Sequence, residues 1–214
     1  LFTIGGFTGV MVGVLAVDIQ LHDTYYVVGH FHYVMMGGSV MALLGGMHYW
    51  WPKITGRMYN ETLGKIAVFL IFVGFNATFF TQLVLGAKGM PRRYYDYVDR
   101  FEGLHQISTY GSYVLGVGLF VVLFYALYSM FFGKKAPANP WAAATLEWTN
   151  VAALPDPHNF VRTPLVTRGP YDFHLADDVF GSGDGMGDGQ AANLEIPDAA
   201  PAAPEPTEPT KAEA

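Results

Sequence analysis

Charged residues are spaced along this chain so as to leave long apolar gaps. Tyr25–Trp51, Ile66–Ala87 and Ile107–Phe132 contain no Lys, Arg, Asp or Glu. A bilayer core about 30 Å thick is crossed by roughly 20 apolar residues in helical form. The pattern therefore predicts spanning helices over about 25–51, 62–87 and 103–132. Leu1–Val17 is a fourth, shorter apolar run and predicts a partial span. Helices buried in a soluble protein are the competing reading, and three uncharged runs in close succession argue against it. Glycines recur in these runs, at Gly37, Gly38, Gly45, Gly46, Gly74, Gly111, Gly116 and Gly118. In a soluble helix each would cost about 1 kcal/mol relative to Ala. In a membrane, small residues let helices approach closely.

Composition agrees with that pattern. The chain of 214 residues is 51% hydrophobic and only 14% charged, against about 25% charged in ordinary globular domains. It contains no cysteine, which excludes disulfides, thiolate metal sites and a cysteine nucleophile. The net charge of −6 is unevenly placed: 1–135 is a weakly basic hydrophobic body, and the remainder is acidic. No basic stripe is available to neutralise phosphates, so nucleic acid is not expected as a partner. The expected organisation is a transmembrane body over 1–135, an extended segment over 136–175 lying against it, and a Gly/Pro/Ala-rich acidic tail over 176–214, disordered by composition. The chain opens at Leu1 inside an apolar run, with no basic segment before it. This fits a piece of a longer protein better than a signal peptide.

Connections alternate between two membrane sides. Side one holds 52–65 and everything after Phe132, with Lys53, Arg57, Lys65, Lys134 and Lys135 near the span ends. Side two holds 18–24 and 88–100, with Lys88, Arg92, Arg93 and Arg100. The positive-inside rule favours side one as cytoplasmic by a single cation.

The segment Leu21-His22-Asp23-Thr24-Tyr25-Tyr26-Val27-Val28-Gly29-His30-Phe31-His32-Tyr33 carries the candidate chemistry. Ionisable groups at membrane depth are costly and point to function. On a helix, positions i and i+2 lie about 200° apart, so His30 and His32 point to opposite faces and cannot share one metal. Two readings fit: two cofactors flanking one helix, or two histidines hydrogen-bonded to neighbouring helices. Gly29 would let a flat ring lie close. His22 and Asp23 could hold a hard cation such as Mg²⁺, while Asp23-Thr24 also suits a helix cap. Arg92 and Arg93, in Gly89–Tyr97, suit carboxylates through their guanidinium forks. They equally suit an interfacial anchoring role beside Tyr94, Tyr95 and Tyr97. His48, His105, His158 and His174 read as structural or solvated.

Taken together, His22–Tyr33 and Gly89–Tyr94 resemble subunit I of the heme–copper oxygen reductases, of the cytochrome c oxidase type. LFTIGGFTG at Leu1–Gly9, Trp51-Pro52, Asn76–Phe80 and Thr145–Trp148 add to the resemblance, which covers about 1–160. It implies an all-α integral membrane fold, the C-terminal helices of a twelve-helix bundle. It implies dioxygen reduction to water with electrons from cytochrome c, coupled to proton pumping. By this resemblance His30 is the ligand of the oxygen-binding high-spin heme, and His32 is a ligand of the low-spin heme. His22 and Asp23 bind Mg or Mn. Arg92 and Arg93 pair with heme propionates, Asp18 joins a propionate hydrogen-bond network, and Phe31 lies between the hemes. Heme A is the expected type. The ligands of copper B are expected in the preceding part of subunit I, so this chain alone is expected to be inactive. Implied partners are that N-terminal part, subunits II and III, cytochrome c through subunit II, and the lipid bilayer. The implied location is a bacterial inner membrane with the acidic tail cytoplasmic. A quinol oxidase, a nitric oxide reductase-like relative and a non-enzymatic transporter-like bundle are the alternatives. Thr81 and Leu83 depart from the family's FFPQH pattern, which puts a proline-induced distortion there in question.

Overall fold

The structure is a computed structural model that describes residues 1–143, 145–149 and 154–155. The 176–214 tail, His158 and His174 lie outside the described residues. The elements are α1 (Phe2–Gly13), α2 (Leu15–Leu21), α3 (Tyr25–Val34), a π turn (Met35–Val40), α4 (Met41–Thr55), α5 (Glu61–Ala87), a 3₁₀ turn (Asp99–Phe101), α6 (Glu102–Phe132) and the short α7 (Leu146–Thr149). The expectation of an all-helical membrane bundle holds. Among the described residues, three helical stretches are each long and apolar enough to cross a membrane: Tyr25–Thr55, Glu61–Ala87 and Asp99–Phe132. Helices satisfy their own backbone groups, which is what a bilayer interior demands.

The ends of these helices have local causes. Thr24 caps α3, its hydroxyl accepting from the Tyr26 N–H at 3.2 Å. The Asn60 side chain does the same for α5, accepting from the Leu63 N–H at 3.0 Å. The helix that begins at Tyr25 does not stop at Trp51. It continues through Pro52 and Lys53 to Thr55, where Gly56, in the left-handed region at φ 70°, donates its N–H to the Pro52 carbonyl. The glycine cap ends the helix, and neither the proline nor the first cation does. The N-terminal run, expected as a partial span over 1–17, is not one straight helix. It breaks between α1 and α2 with a bend of 101°. Val14, extended at φ −87° and ψ 115°, makes the break.

α5 is the central helix, packed by α3 on one side and α6 on another, and α1 lies against α3. Glycines make these contacts close. A Cβ on Gly74 would lie 2.3 Å from the Leu115 nitrogen, and one on Gly111 would lie 2.7 Å from the Thr78 nitrogen. The small-residue reading holds there, but Gly45 and Gly116 face open space. Tyr33, Ile71, Phe75 and Tyr125 are almost wholly buried between the helices. The outward faces carry Phe69, Phe72, Phe120, Phe124 and Phe131, all exposed, as expected of surfaces that meet lipid or further helices.

Two devices organise side one. The chain after α6 pairs with the turn after α4: the Met58 N–H donates to the Lys134 carbonyl at 2.8 Å, and the Ala136 N–H to the Gly56 carbonyl at 2.9 Å. Beyond it, α7 docks on the end of α4. The Glu147 carboxylate accepts from the Tyr49 hydroxyl at 2.9 Å and the Trp50 indole at 3.2 Å, and Trp148 is buried with Lys53 over its ring. Glu147→Ala is expected to loosen α7 by about 1.5–3 kcal/mol, the range for hydrogen bonds to a charged group. A red shift of tryptophan emission, as Trp148 gains water, is the measurement.

Candidate functional site

α3 is set by its neighbours as much as by its own sequence. At its start the Tyr25 N–H donates to the Met90 carbonyl at 2.9 Å, and a Cβ on Gly86 of α5 would fall 1.8 Å from the Tyr26 nitrogen. Further along, a Cβ on Gly29 would meet the Leu83 side chain at 2.8 Å and the Phe79 carbonyl at 2.9 Å. Gly29 is therefore occupied by the α3–α5 contact. It does not leave room for a flat ligand ring, as the sequence suggested.

His30 faces α1. Its Nδ1 lies 3.0 Å from the Gly5 carbonyl oxygen and 3.1 Å from the Thr8 hydroxyl oxygen. The Thr8 hydroxyl itself donates to Gly5 at 2.9 Å, so both oxygens act as acceptors and Nδ1 carries the proton. Gly9 makes room for the ring, since a Cβ there would sit 2.9 Å from the His30 Cε1. His32 faces α5. Its ring stacks on Phe79 at 4.2 Å between centroids and 14° between planes, with Phe31 on it at 4.5 Å and 28°. Its Nδ1 donates to the Val28 carbonyl at 2.8 Å. The two rings thus address different helices, as the i, i+2 spacing required.

In both histidines a backbone carbonyl fixes the proton on Nδ1. Neither Nε2 has a hydrogen-bond partner among the described residues. This is the arrangement of a metal-ligating histidine, in which the second nitrogen orients the ring and raises its basicity. The residues present therefore fit as ligands of two separate metal centres, one on each histidine. Tyr33 braces the next position, donating to Asn76 on α5 at 2.8 Å.

On side two, His22, Asp23, Arg92 and Asp18 come together. Arg92 Nε donates to Asp23 Oδ1 at 2.7 Å, and the guanidinium Nη2 pairs with the same oxygen. The other oxygen, Oδ2, lies 3.8 Å from His22 Nε2, and His22 Nδ1 lies 3.3 Å from Asp18 Oδ2. The Arg92 hydrogen bond holds the Asp23 carboxyl below the ordinary carboxylate range. Asp23 and Arg93 both adopt left-handed backbone, at φ 54° and 60°. Such conformations persist where the surroundings over-determine them. Here the Arg92 N–H to Asp23 carbonyl bond, 2.9 Å, and the Thr24–Pro91 bridge do so. His22 and Asp23 lie just before α3, which begins at Tyr25. No cluster of three His, Asp or Glu poised to hold a metal occurs among the described residues. A cation on His22 and Asp23 needs further ligands.

The sequence of cytochrome c and quinol oxidase polypeptide I, as a family, matches residues 1–114. This chain belongs to that family. It is 45% identical to cytochrome c oxidase subunit 1 of Synechocystis sp. over 93% of its length and 35% of the relative's. It is 48% identical to the same subunit of Bacillus sp. strain PS3 over 77% of its length and 27% of the relative's. A heme–copper terminal oxidase solved as a dimer by cryo-electron microscopy superposes with a TM-score of 0.54 at 22% identity, over 62% of this chain and 25% of that one. That likeness is one of fold. The chain spans about a third of the length of the curated relatives it matches. The Synechocystis match runs beyond residue 160, where the sequence resemblance had ended.

Membership places the chain in a family of heme–copper oxidases, and its apolar helices fit a multi-pass membrane protein. Its departure at Thr81 and Leu83 leaves α5 unbroken from Glu61 to Ala87. Thr81 donates back to the Ala77 carbonyl at 2.7 Å, and Leu83 fills the space over Gly29. The sequence reading gave no role to Gly5, Thr8, Gly9 or Phe79, which hold the two histidines. The spacing of Gly5, Thr8 and Gly9 on one helical face was the available signal. His48 is more engaged than the sequence suggested: its Nδ1 donates to Leu44 at 2.5 Å, and Tyr125 hydrogen-bonds its Nε2.

Proposed function

We propose that the chain is the C-terminal part of the catalytic subunit of a terminal oxidase that reduces dioxygen to water with electrons from cytochrome c, coupled to proton pumping. One observation carries this reading: His30 and His32 lie on opposite faces of α3, each with Nδ1 tied to a carbonyl and Nε2 left without a partner. His30 would hold the oxygen-binding heme and His32 the low-spin heme. When bound, the hemes and a copper held by the preceding part of subunit I supply the redox chemistry. The heme type proposed is A.

The chain's own residues then have positional and electrostatic tasks. Gly5 and Thr8 hold the His30 imidazole in one tautomer and one orientation. Phe31 and Phe79 clamp His32 flat, and Phe31 would lie between the two cofactors. Arg92 and Arg93 place positive charge on side two, where propionates would sit. Asp18 is joined to that region through His22. His22 Nε2 and Asp23 Oδ2 would contribute two ligands to Mg or Mn, with Arg92 fixing the other Asp23 oxygen. The N-terminal part of subunit I, subunits II and III, and cytochrome c through subunit II are the partners proposed. A bacterial inner membrane is the proposed location, with side one and the acidic tail cytoplasmic.

The test is oxygen uptake by the purified full-length complex, driven by reduced cytochrome c or by a quinol. Uptake with cytochrome c and a heme A spectrum is the expected result. Uptake with quinol alone moves the assignment to a quinol oxidase, and no heme spectrum moves it to a transporter-like bundle. The 214-residue chain alone is expected to show no turnover.

A further inference from the structure

The backbone pairing on side one places two cationic residues opposite each other. The hydrogen bonds from Met58 to Lys134 and from Ala136 to Gly56 flank the antiparallel bridge between Arg57 and Lys135. That makes Arg57 and Lys135 a non-hydrogen-bonded pair, the register in which opposed side chains come closest. Opposed Cβ atoms in such pairs are about 4.5–5.5 Å apart, and like charges there are destabilising. The register therefore sets both cationic side chains on the same face of the bridge.

The other side-one cations are engaged differently. Lys65 pairs with Glu61 at 3.6 Å, and Lys53 lies over the Trp148 ring at 5.0 Å. Among the described residues no carboxylate lies within ion-pair distance of Arg57, Lys134 or Lys135. Arg57 spends one N–H on the Gly133 carbonyl at 2.7 Å, which orients the guanidinium and leaves the rest of its fork for an oxyanion. Lys134 and Lys135 are exposed. Immediately before this turn the last α6 residues Tyr128, Phe131 and Phe132 are exposed aromatics, and Ile54 of α4 is exposed beside Gly56.

We propose that Arg57 and Lys135, with Lys134 next to them, bind the phosphate of an anionic phospholipid whose acyl chains lie along the exposed end of α6. An anion between the opposed cations turns a destabilising register into a binding site, and the apolar collar selects a lipid over free phosphate. This inference rests on the helices spanning a bilayer and is independent of the redox assignment.

The test uses the full-length oxidase complex, purified and placed in phosphatidylcholine nanodiscs with or without phosphatidylglycerol. Native mass spectrometry is expected to show Lys135→Gln retaining one phosphatidylglycerol fewer than the wild type. Equal retention overturns the proposal. In pure phosphatidylcholine, Lys135→Glu is expected to raise Tm, because Arg57 gains an opposed partner, and an unchanged or lower Tm overturns the opposed-charge geometry. Inorganic phosphate raising the wild-type Tm as much as phosphatidylglycerol does overturns the lipid assignment. Both substitutions are at an exposed position, and heme content of each variant reports that the complex has assembled.

Discussion

His30→Ala in the full-length subunit is expected to remove one heme signal and abolish dioxygen reduction, while His32→Ala removes the other. Losing an outer hydrogen-bond partner of a metal ligand costs about 10–100-fold in affinity or activity. Losing the ligand itself should exceed about 100-fold. The two variants are expected to differ in kind because the rings leave α3 in different directions, His30 towards α1 and His32 towards α5. Reduced-minus-oxidised spectra of membranes carrying each variant distinguish the outcomes. Loss of the same band in both would contradict the two-face arrangement, and loss of neither would return both histidines to a structural role. Added imidazole, a free stand-in for the missing side chain, is expected to restore part of the signal.

Gly86→Ala is expected to prevent assembly of a heme-loaded subunit. Overpacking normally costs about 1–3 kcal/mol because side chains can shift. At Gly86 the obstacle is the Tyr26 backbone nitrogen, 1.8 Å from the added carbon, and backbone cannot rotate away. The start of α3 would have to leave α5. This would also break the Tyr25 to Met90 hydrogen bond that joins α3 to the arginine loop. Heme content per subunit after membrane extraction is the measurement. Gly116→Ala and Gly45→Ala are the controls. Neither new Cβ meets anything within 4 Å, so each should be neutral or favour the helix by about 1 kcal/mol. A heme-loaded Gly86→Ala subunit with wild-type stability would mean that the α3–α5 contact is looser than the structure shows.

Much of the fold was legible because one physical rule dominates it. A bilayer requires about 20 uncharged residues per span, and the charge-free runs met that requirement openly. The ends were less legible. Pro52 and Lys53 look like stops in sequence, yet the helix passes through both, because Gly56 supplies the cap that ends it. The break at Val14 gave no polar signal at all, since the run is apolar on both sides of it.

The candidate site divides in the same way. Sequence determined that His30 and His32 face apart, because a helix of 3.6 residues per turn leaves no alternative for positions two apart. It also determined the charge imbalance, the absence of any thiol chemistry and the presence of two arginines on side two. Only the tertiary structure decided what each ring touches. Gly29 is filled by Leu83, His30 is held by Gly5 and Thr8, 25 and 22 positions upstream, and Arg92 reaches Asp23 across 69 positions. Periodicity along one helix fixes directions, which are local. The identity of the group met in each direction depends on how helices distant in sequence pack together, and that is set by side-chain volume and close approach between them.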